Sequence, residues 1–382
     1  MIEVPKHTLH EILQENEHFA LWRGVRNRDH LPVLVEVPVS PRPEPGDLDR
    51  LEQEYALRGE LESDWAVRPL ALKRHDGGAM LVLEDLGGEP LERLLGYPLE
   101  VTRFLRIAIS LAEALGQLHG RGLIHKDLKP SNVLVDDADH VRLTGFGIAS
   151  RLPRERPSPE PPEIIAGTLA YMAPEQTGRM NRSIDSRSDL YSLGVIFYQM
   201  LTGVLPCIAD DLLEWVHCHV ARRPMPLAER NPEIPSAISA IVQKLLAKNA
   251  EERYRTATGV GADLRRCLFA WEERGSIESF TLGERDASDR LLIPEKLYGR
   301  DREVHALFDA FERVVSSGSP ELVLVSGYAG IGKSSVVKEL HKVIVLSRAR
   351  FISGKFDQYQ RDIPYATLAQ ALRTLVRRPP VI

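Results

Sequence analysis

The chain has 382 residues, 43% of them apolar, with 49 Lys plus Arg against 54 Asp plus Glu and a net charge of −5. That length predicts two domains with sizeable cores. The balanced charge excludes the broad basic field of a dedicated nucleic-acid binder, and no apolar run approaches the ~18 residues of a membrane helix. The opening Met1-Ile2-Glu3-Val4-Pro5 lacks a basic-then-apolar targeting pattern. Cys207, Cys218 and Cys267 cannot all pair, and none stands in CxxC spacing, which predicts a reducing, cytoplasmic setting. Arg222-Arg223, Arg265-Arg266 and Arg377-Arg378 read as solvated faces. His217-Cys218-His219 has no carboxylate or second thiol at ligand spacing and is not expected to bind metal.

Residues 8 to 85 read mainly as short strands. Val33–Val37 and Met80–Leu83 are β-favouring runs, and His75-Asp76-Gly77-Gly78 is a turn between strands. One helix interrupts them, from about Leu48 to Leu61, after the breaker-rich 41–46 and with Asp47 as N-cap. From Glu100 the period changes. Phe104, Ile107, Leu111, Leu115 and Leu118 recur at three- and four-residue spacing, a buried helical stripe ended by Gly120 and Gly122. The stretch 190–201 is apolar on nearly every face and predicts a central helix. Further helices are expected at 212–221, 237–246 and 261–271. A polar stretch, about 272 to 295, precedes a helix at 301–315, a buried strand at 321–326 and a glycine-rich loop entering another helix. A strand-rich lobe followed by a helical one is an α+β arrangement.

Between the helix ending near Gly120 and the strand-like Val133-Leu134-Val135 lies His125-Lys126-Asp127-Leu128-Lys129-Pro130-Ser131-Asn132. Phosphoryl transfer to a hydroxyl needs a carboxylate to take the proton, an ammonium beside the moving phosphoryl and an amide oxygen for Mg²⁺. This loop offers all three, and it resembles the catalytic loop of eukaryotic-type Ser/Thr protein kinases. The resemblance implies a two-lobed kinase-like fold with Asp127 as base, Lys129 beside the phosphoryl and Asn132 on Mg²⁺, His125 belonging to the same structural motif. Further matches follow in family order. Gly167-Thr168 and Ala173-Pro174-Glu175 resemble the end of an activation segment, Asp189 the buried aspartate that braces the catalytic loop, and Arg253 the partner of Glu175. Lys129 with Thr168 points to the Ser/Thr subtype. Glu175, Asp189 and Arg253 speak for fold rather than activity.

Three parts of that pattern are missing. The stretch 14–24 stands where the glycine-rich loop belongs but has no glycine before Gly24, and His18 and Phe19 fall where the loop should be bare. Glu36 takes the place of the strand lysine that grips the nucleotide phosphates. Its partner on the following helix would be Glu54, or else Glu52, so two carboxylates meet where an ion pair belongs. At ~4 Å and an effective dielectric near 20, ~4 kcal/mol of attraction becomes comparable repulsion. In Leu143-Thr144-Gly145-Phe146-Gly147, Gly145 replaces the aspartate that is the main Mg²⁺ ligand. These departures predict a pseudokinase; the retained Asp127, Lys129 and Asn132 keep open an atypical active Ser/Thr kinase. Lys126 replaces the arginine that meets a phosphorylated activation segment, and the proline-rich stretch 153–174 predicts a mobile loop.

Downstream, Gly327-Tyr328-Ala329-Gly330-Ile331-Gly332-Lys333-Ser334 matches GxxxxGK[ST] after an apolar strand and before a helix. Loop amides, with Gly327, Gly330 and Gly332 allowing close approach, would cradle ATP phosphates; Lys333 would reach them and Ser334 would ligate Mg²⁺. Leu297-Tyr298-Gly299-Arg300-Asp301-Arg302-Glu303 resembles the lead-in of AAA+-like signalling ATPases. No apolar strand ending in an acid follows, and Asp357 does not fit that role, so hydrolysis by this chain alone is not expected. The expected organisation is a Ser/Thr-kinase-like domain at 1–271, a linker at 272–297 and the N-terminal portion of an α/β P-loop ATPase domain at 298–382. The order, with 166–182 and 351–358, resembles large bacterial signalling proteins in which such a pair precedes a GAF sensor and a histidine kinase. That resemblance implies ATP and Mg²⁺ as cofactors, protein partners or substrates, and association with downstream ATPase, sensor and histidine kinase modules. Neither nucleic acid nor membrane is an expected partner. A third reading is a nucleotide-gated interaction protein in which Lys333 binds ATP and the kinase fold is a docking surface.

Overall fold

Alternating residues build the first layer. In the computed structural model, β1 (His7–Glu15), β2 (Phe19–Arg26) and β3 (Pro32–Pro38) run antiparallel and are followed by α1 (Pro45–Ala56), β4 (Pro69–His75) and β5 (Gly78–Glu84). The structure describes residues 6–40, 42–75, 78–151, 168–178, 182–287, 299–328, 331–340, 344, 352 and 371–372. Two units are distinguished: Met1–Gly178 with Arg182–Lys296, and chiefly Leu297–Ile382.

The five strands are ordered β1-β2-β3-β5-β4. Strand pleating sends successive side chains to opposite faces. Leu34 of β3 therefore joins Leu21, Leu81 and Leu83 against Leu51 of α1, while Val33, Val35 and Val37 pack on the other face. Glu36 shares the parity of Leu34, which turns a carboxyl toward the helix. The helix starts earlier than expected, at Pro45 rather than Leu48, with Glu44 and not Asp47 as N-cap. Proline is preformed for the first helical position, so a breaker-rich run here contains the start. Asp47 lies in the first turn and accepts from the Glu44 amide at 3.1 Å. The helix ends at Ala56, short of Leu61, in a 3-10 turn, Leu57–Gly59. β4 and β5 pair with His75 opposite Gly78; Asp76 and Gly77 of the expected turn lie outside the described residues.

The helical half follows: β6 (Glu89–Pro90), a 3-10 turn (Leu91–Leu94), α2 (Val101–Gly120), β7 (Leu123–Ile124), β8 (Val133–Val135), β9 (Val141–Leu143) and β10 (Ser150–Arg151). Then come α3 (Ser186–Thr202), α4 (Leu212–Val220), α5 (Leu227–Arg230), α6 (Ser236–Leu245) and α7 (Ala257–Arg274). The predicted stripe on α2 is wholly buried, and α3 is buried on nearly every side. Phe104 and Phe197 meet edge-to-face at 5.5 Å between those helices. Beyond α7, Ile277, Phe280 and Leu282 pack on this core. Asp286 accepts from the Arg255 and Thr256 amides at 2.6 and 2.9 Å.

Cys207 and Cys218 are joined in a disulfide, and Cys267 is free and buried. The expected reducing setting would not favour such a pair. His219 is occupied by Tyr191 Oη at 3.1 Å and the Leu169 carbonyl at 2.7 Å.

In the second unit, α8 (Asp301–Ser317) and α9 (Lys333–Lys338) are helical. The strand expected at 321–326 is not formed, and Leu322 and Leu324 are each 84% exposed. An apolar run becomes a buried strand only when neighbours take its amides and helices cover its faces. The described residues supply no such neighbour.

Candidate functional site

The loop between β7 and β8 is fixed from below by one carboxylate. Asp189, 1% exposed on α3, accepts from the His125 and Lys126 amides at 2.9 Å each and from His119 Nε2 at 2.8 Å. Burial opposes its ionisation, but the bond and charge of His119 and the bond from the His125 amide outweigh this and hold the carboxyl below its ordinary range. His125 is buried, which pushes its imidazole pKa down. As a neutral ring it donates from Nε2 to the Thr144 carbonyl at 3.0 Å and accepts the Asp127 amide on Nδ1 at 3.3 Å. Its ring packs on Phe146 at 5.0 Å. His119 is a brace that the sequence reading missed, because a histidine in a helix's last turn carries no pattern of its own.

On this platform the expected trio converges. Asp127 Oδ1 accepts from the Thr168 amide at 2.9 Å and its hydroxyl at 3.1 Å. Lys129 Nζ lies 3.1 Å from Asp127 Oδ2 and donates to Thr168 Oγ1 at 2.8 Å. Asn132 Nδ2 donates to the Asp127 carbonyl at 2.8 Å. Below them, Arg253 grips Glu175 through two parallel bonds of 2.7 and 2.9 Å, both side chains buried. Ser188 Oγ adds a third bond to Glu175 at 2.7 Å.

The roof of the cleft is different. Asn16 Oδ1 accepts from the His18 and Phe19 amides at 2.8 and 2.9 Å, a tight turn at the tip of the β1–β2 hairpin. It turns Phe19 inward, 7% exposed, while His18 stays half out and meets Asp47 at 3.0 Å. Phe19 joins Gln14, Asn16, Leu21, Glu36, Asn132, Thr144 and Gly145 around a residual cavity of about 10 Å³. These side chains narrow the cleft at this place.

Glu54 is the helix partner of Glu36; Glu52 instead reaches Arg74 on the surface. Glu54 is 2% exposed, and its Oε1 has no hydrogen-bond partner among the described residues. Burial pushes its pKa well up and the Glu36 charge adds to this, while the amides of residues 145–147 pull the other way. Burial likewise raises Glu36, to about 7, against the pull of Lys129 and Arg50. Glu36 and Glu54 are thus a pair of buried carboxyls disposed to keep protons. Gly145 has φ 77°, and a Cβ there would stand 2.7 Å from Asn132 Nδ2 and 2.8 Å from its Cγ. The Asn132 carboxamide covers the space that a side chain at 145 would need, a contact that no sequence spacing announces.

Residues 39–262, more than half the chain, match the protein kinase domain family. The chain belongs to the protein kinase family. Residues 296–378 match the AAA ATPase domain family. A hybrid signal transduction histidine kinase G of Dictyostelium discoideum is 28% identical over 365 aligned residues, covering 73% of this chain and 10% of that protein. The serine/threonine-protein kinase PknB of Mycolicibacterium smegmatis is 35% identical over 188 residues, 49% of this chain and 30% of its own length. A serine/threonine-protein kinase of Myxococcus xanthus is 38% identical over 178 residues, 46% of this chain and 25% of its own. The chain thus spans 10% to 30% of these relatives' lengths. It is a protein kinase domain followed by an AAA ATPase domain, of mixed helix and sheet.

In the AAA ATPase domain, Gly332 with φ 93° caps α9. Lys333 Nζ curls back to donate to the Gly327 and Tyr328 carbonyls, 2.8 Å each, while Ser334 is exposed. Gly330 lies outside the described residues. Among the described residues, no helix is long and apolar enough to cross a membrane.

Proposed function

We propose that this is a signalling protein whose kinase domain, residues 1–271, is a pseudokinase or strongly impaired catalyst kept for binding or regulation. Residues 272–297 would link it to the N-terminal portion of an AAA+-type ATP-binding domain at 298–382. The observation that carries this reading is the meeting of Glu36 with Glu54, which puts negative charge or buried protons where ATP phosphates need a cation. Gly145 offers no carboxylate oxygen, and its open side is covered by Asn132. The residues present therefore do not fit Mg·ATP in this cleft. Loss of one preorganised electrostatic group typically costs ~2.7–4 kcal/mol of transition-state stabilisation. In the second domain Gly327, Gly330, Gly332 and Lys333 are the groups that would hold ATP phosphates, with Ser334 on Mg²⁺.

A cytoplasmic setting and protein partners, including sensor and histidine kinase modules, are part of the same reading; of these, the histidine kinase module is supported by the first relative's name. Radiolabelled phosphate transfer tests the impairment. The wild type is expected to transfer no more than Asp127→Ala; robust transfer that Asp127→Ala abolishes overturns the reading. One observation favours a second reading, an atypical Ser/Thr kinase with Asp127 as base: Asp127, Lys129 and Thr168 already share hydrogen bonds. The same assay separates the two.

A further inference from the structure

The strand β1 slips register against β2 twice, between Leu9 and Glu11 and between Ile12 and Gln14. Each bulge frees backbone groups from the ladder. Arg93, on the turn Leu91–Leu94, takes those of the second bulge: its Nη2 donates to the Ile12 carbonyl at 2.6 Å and reaches that of Leu13 at 3.4 Å. Its Nη1 meets the Glu11 carboxylate at 2.6 Å and also binds Glu89. From β2, Arg23 sends Nε to Asp85 at 3.0 Å and Nη1 to Glu89 at 2.8 Å, and donates to the Gly88 carbonyl.

These contacts cross from one lobe to the other. Leu91 is fully buried in the helical core, so Arg93 is anchored below, while Glu11 and Arg23 belong to the five-stranded sheet above. The connection between lobes passes through Gly87 and Gly88, at φ 81° and 91°, a backbone that other residues rarely adopt. The far end of the same hairpin is tied to α1 by His18 and Asp47. Between the two ties lie Gln14 and Phe19, which line the cleft.

We propose that Glu11, Arg23, Asp85, Glu89 and Arg93 form an ionic latch that holds the β1–β2 hairpin down on the cleft, and that its release about Gly87-Gly88 gates access. The inference rests on the reading above for what the cleft is, and it adds how the cleft is regulated. Glu11, Glu89 and Arg93 side chains are 44, 43 and 38% exposed, so salt screens this part of the latch, whereas the Arg23–Asp85 pair, 22 and 6% exposed, is screened less. Arg93's bond and charge, with those of Arg23, hold the Glu11 carboxyl below its ordinary range.

Hydrogen–deuterium exchange of the full chain, read on peptides covering residues 12–21, tests this. At low salt, Arg93→Ala and Glu11→Gln are each expected to speed exchange by about tenfold, and wild type should reach the variants' rate in about 0.5 M salt. Glu11→Gln changes one half-exposed group and keeps the test valid if Arg93→Ala misfolds. Unchanged exchange in Glu11→Gln, or a wild type indifferent to salt, overturns the latch and leaves the proposed impairment standing. Robust phosphate transfer by wild type would overturn the impairment while leaving a salt-sensitive latch in place.

Discussion

Replacing Glu36 by Gln keeps the side chain's size and removes one carboxyl from the buried pair. Burial raises the folded Glu36 from an ordinary 4.5 to about 7, so folding favours its protonated form. Its stability contribution is full below pH 4.5, declines as the unfolded chain ionises and the folded chain does not, and is lost once pH passes about 7. Glutamine does not titrate. The variant should therefore match wild type near pH 4.5 and gain on it up to about pH 7, then hold the gain. At ~1.36 kcal/mol for each pH unit, the ceiling of that gain is about 3 kcal/mol. For a domain of this size it corresponds to roughly 6–12 °C in melting temperature. The four tryptophans, Trp22, Trp65, Trp215 and Trp271, all lie in the first unit, so tryptophan fluorescence reports its melting selectively. Melts at pH 4.5, 6 and 8 check the prediction. A gap of equal size at every pH, or a variant less stable than wild type at pH 8, would refute the account of the acid pair.

Three other outcomes are expected. Arg253→Ala should destabilise the kinase domain by ~3–5 kcal/mol in urea unfolding, because it leaves Glu175 buried without its counter-charge; Arg253→Lys, lacking the two-pronged fork, should recover only part. Glu36→Lys with Gly145→Asp should raise phosphate transfer by at least about 10²-fold over either single change, in a radiolabel assay. Gly145→Asp alone should remain silent and lose stability, since its Cβ would stand 2.7 Å from Asn132. Lys333→Ala should weaken nucleotide binding at least about tenfold by titration, the loss of a charge-assisted hydrogen bond of ~1.5–3 kcal/mol.

Where structure is set by near neighbours, the sequence was readable. The β-favouring run Val33–Val37 placed β3, and the α2 stripe from Phe104 to Leu118 is buried as its spacing requires. The start of α1 was misplaced because Pro45 reads as a breaker by composition but serves as a helix starter by position. The run Leu322–Val325 misled for the opposite reason: strand formation depends on partners that local composition does not contain. In the site, Asp127, Asn132 and Asp189 were recognisable because catalytic loops constrain residue type at fixed spacing. The contact of Arg93 with Glu11 joins residues 82 apart, and surface charges carry no periodicity that would announce it. Likewise, three cysteines do not say which two meet.

The retained catalytic loop and the lost phosphate grip need not conflict. Asp127, Lys129 and Asn132 do more here than await a substrate. Asp127 receives both donors of Thr168, Lys129 bridges the same two residues, and Asn132 holds the Asp127 carbonyl. Together they tie the end of the activation segment to a loop already fixed by Asp189. Removing any of the three would leave buried or half-buried polar groups unpaired, at a cost comparable to that of other lost hydrogen bonds. Glu36, by contrast, lowers stability above neutral pH. Keeping the fold alone would therefore retain the trio, whether or not this domain transfers phosphate. On the reading proposed here, what weighs against activity is the acid at Glu36, which stabilises nothing the fold requires.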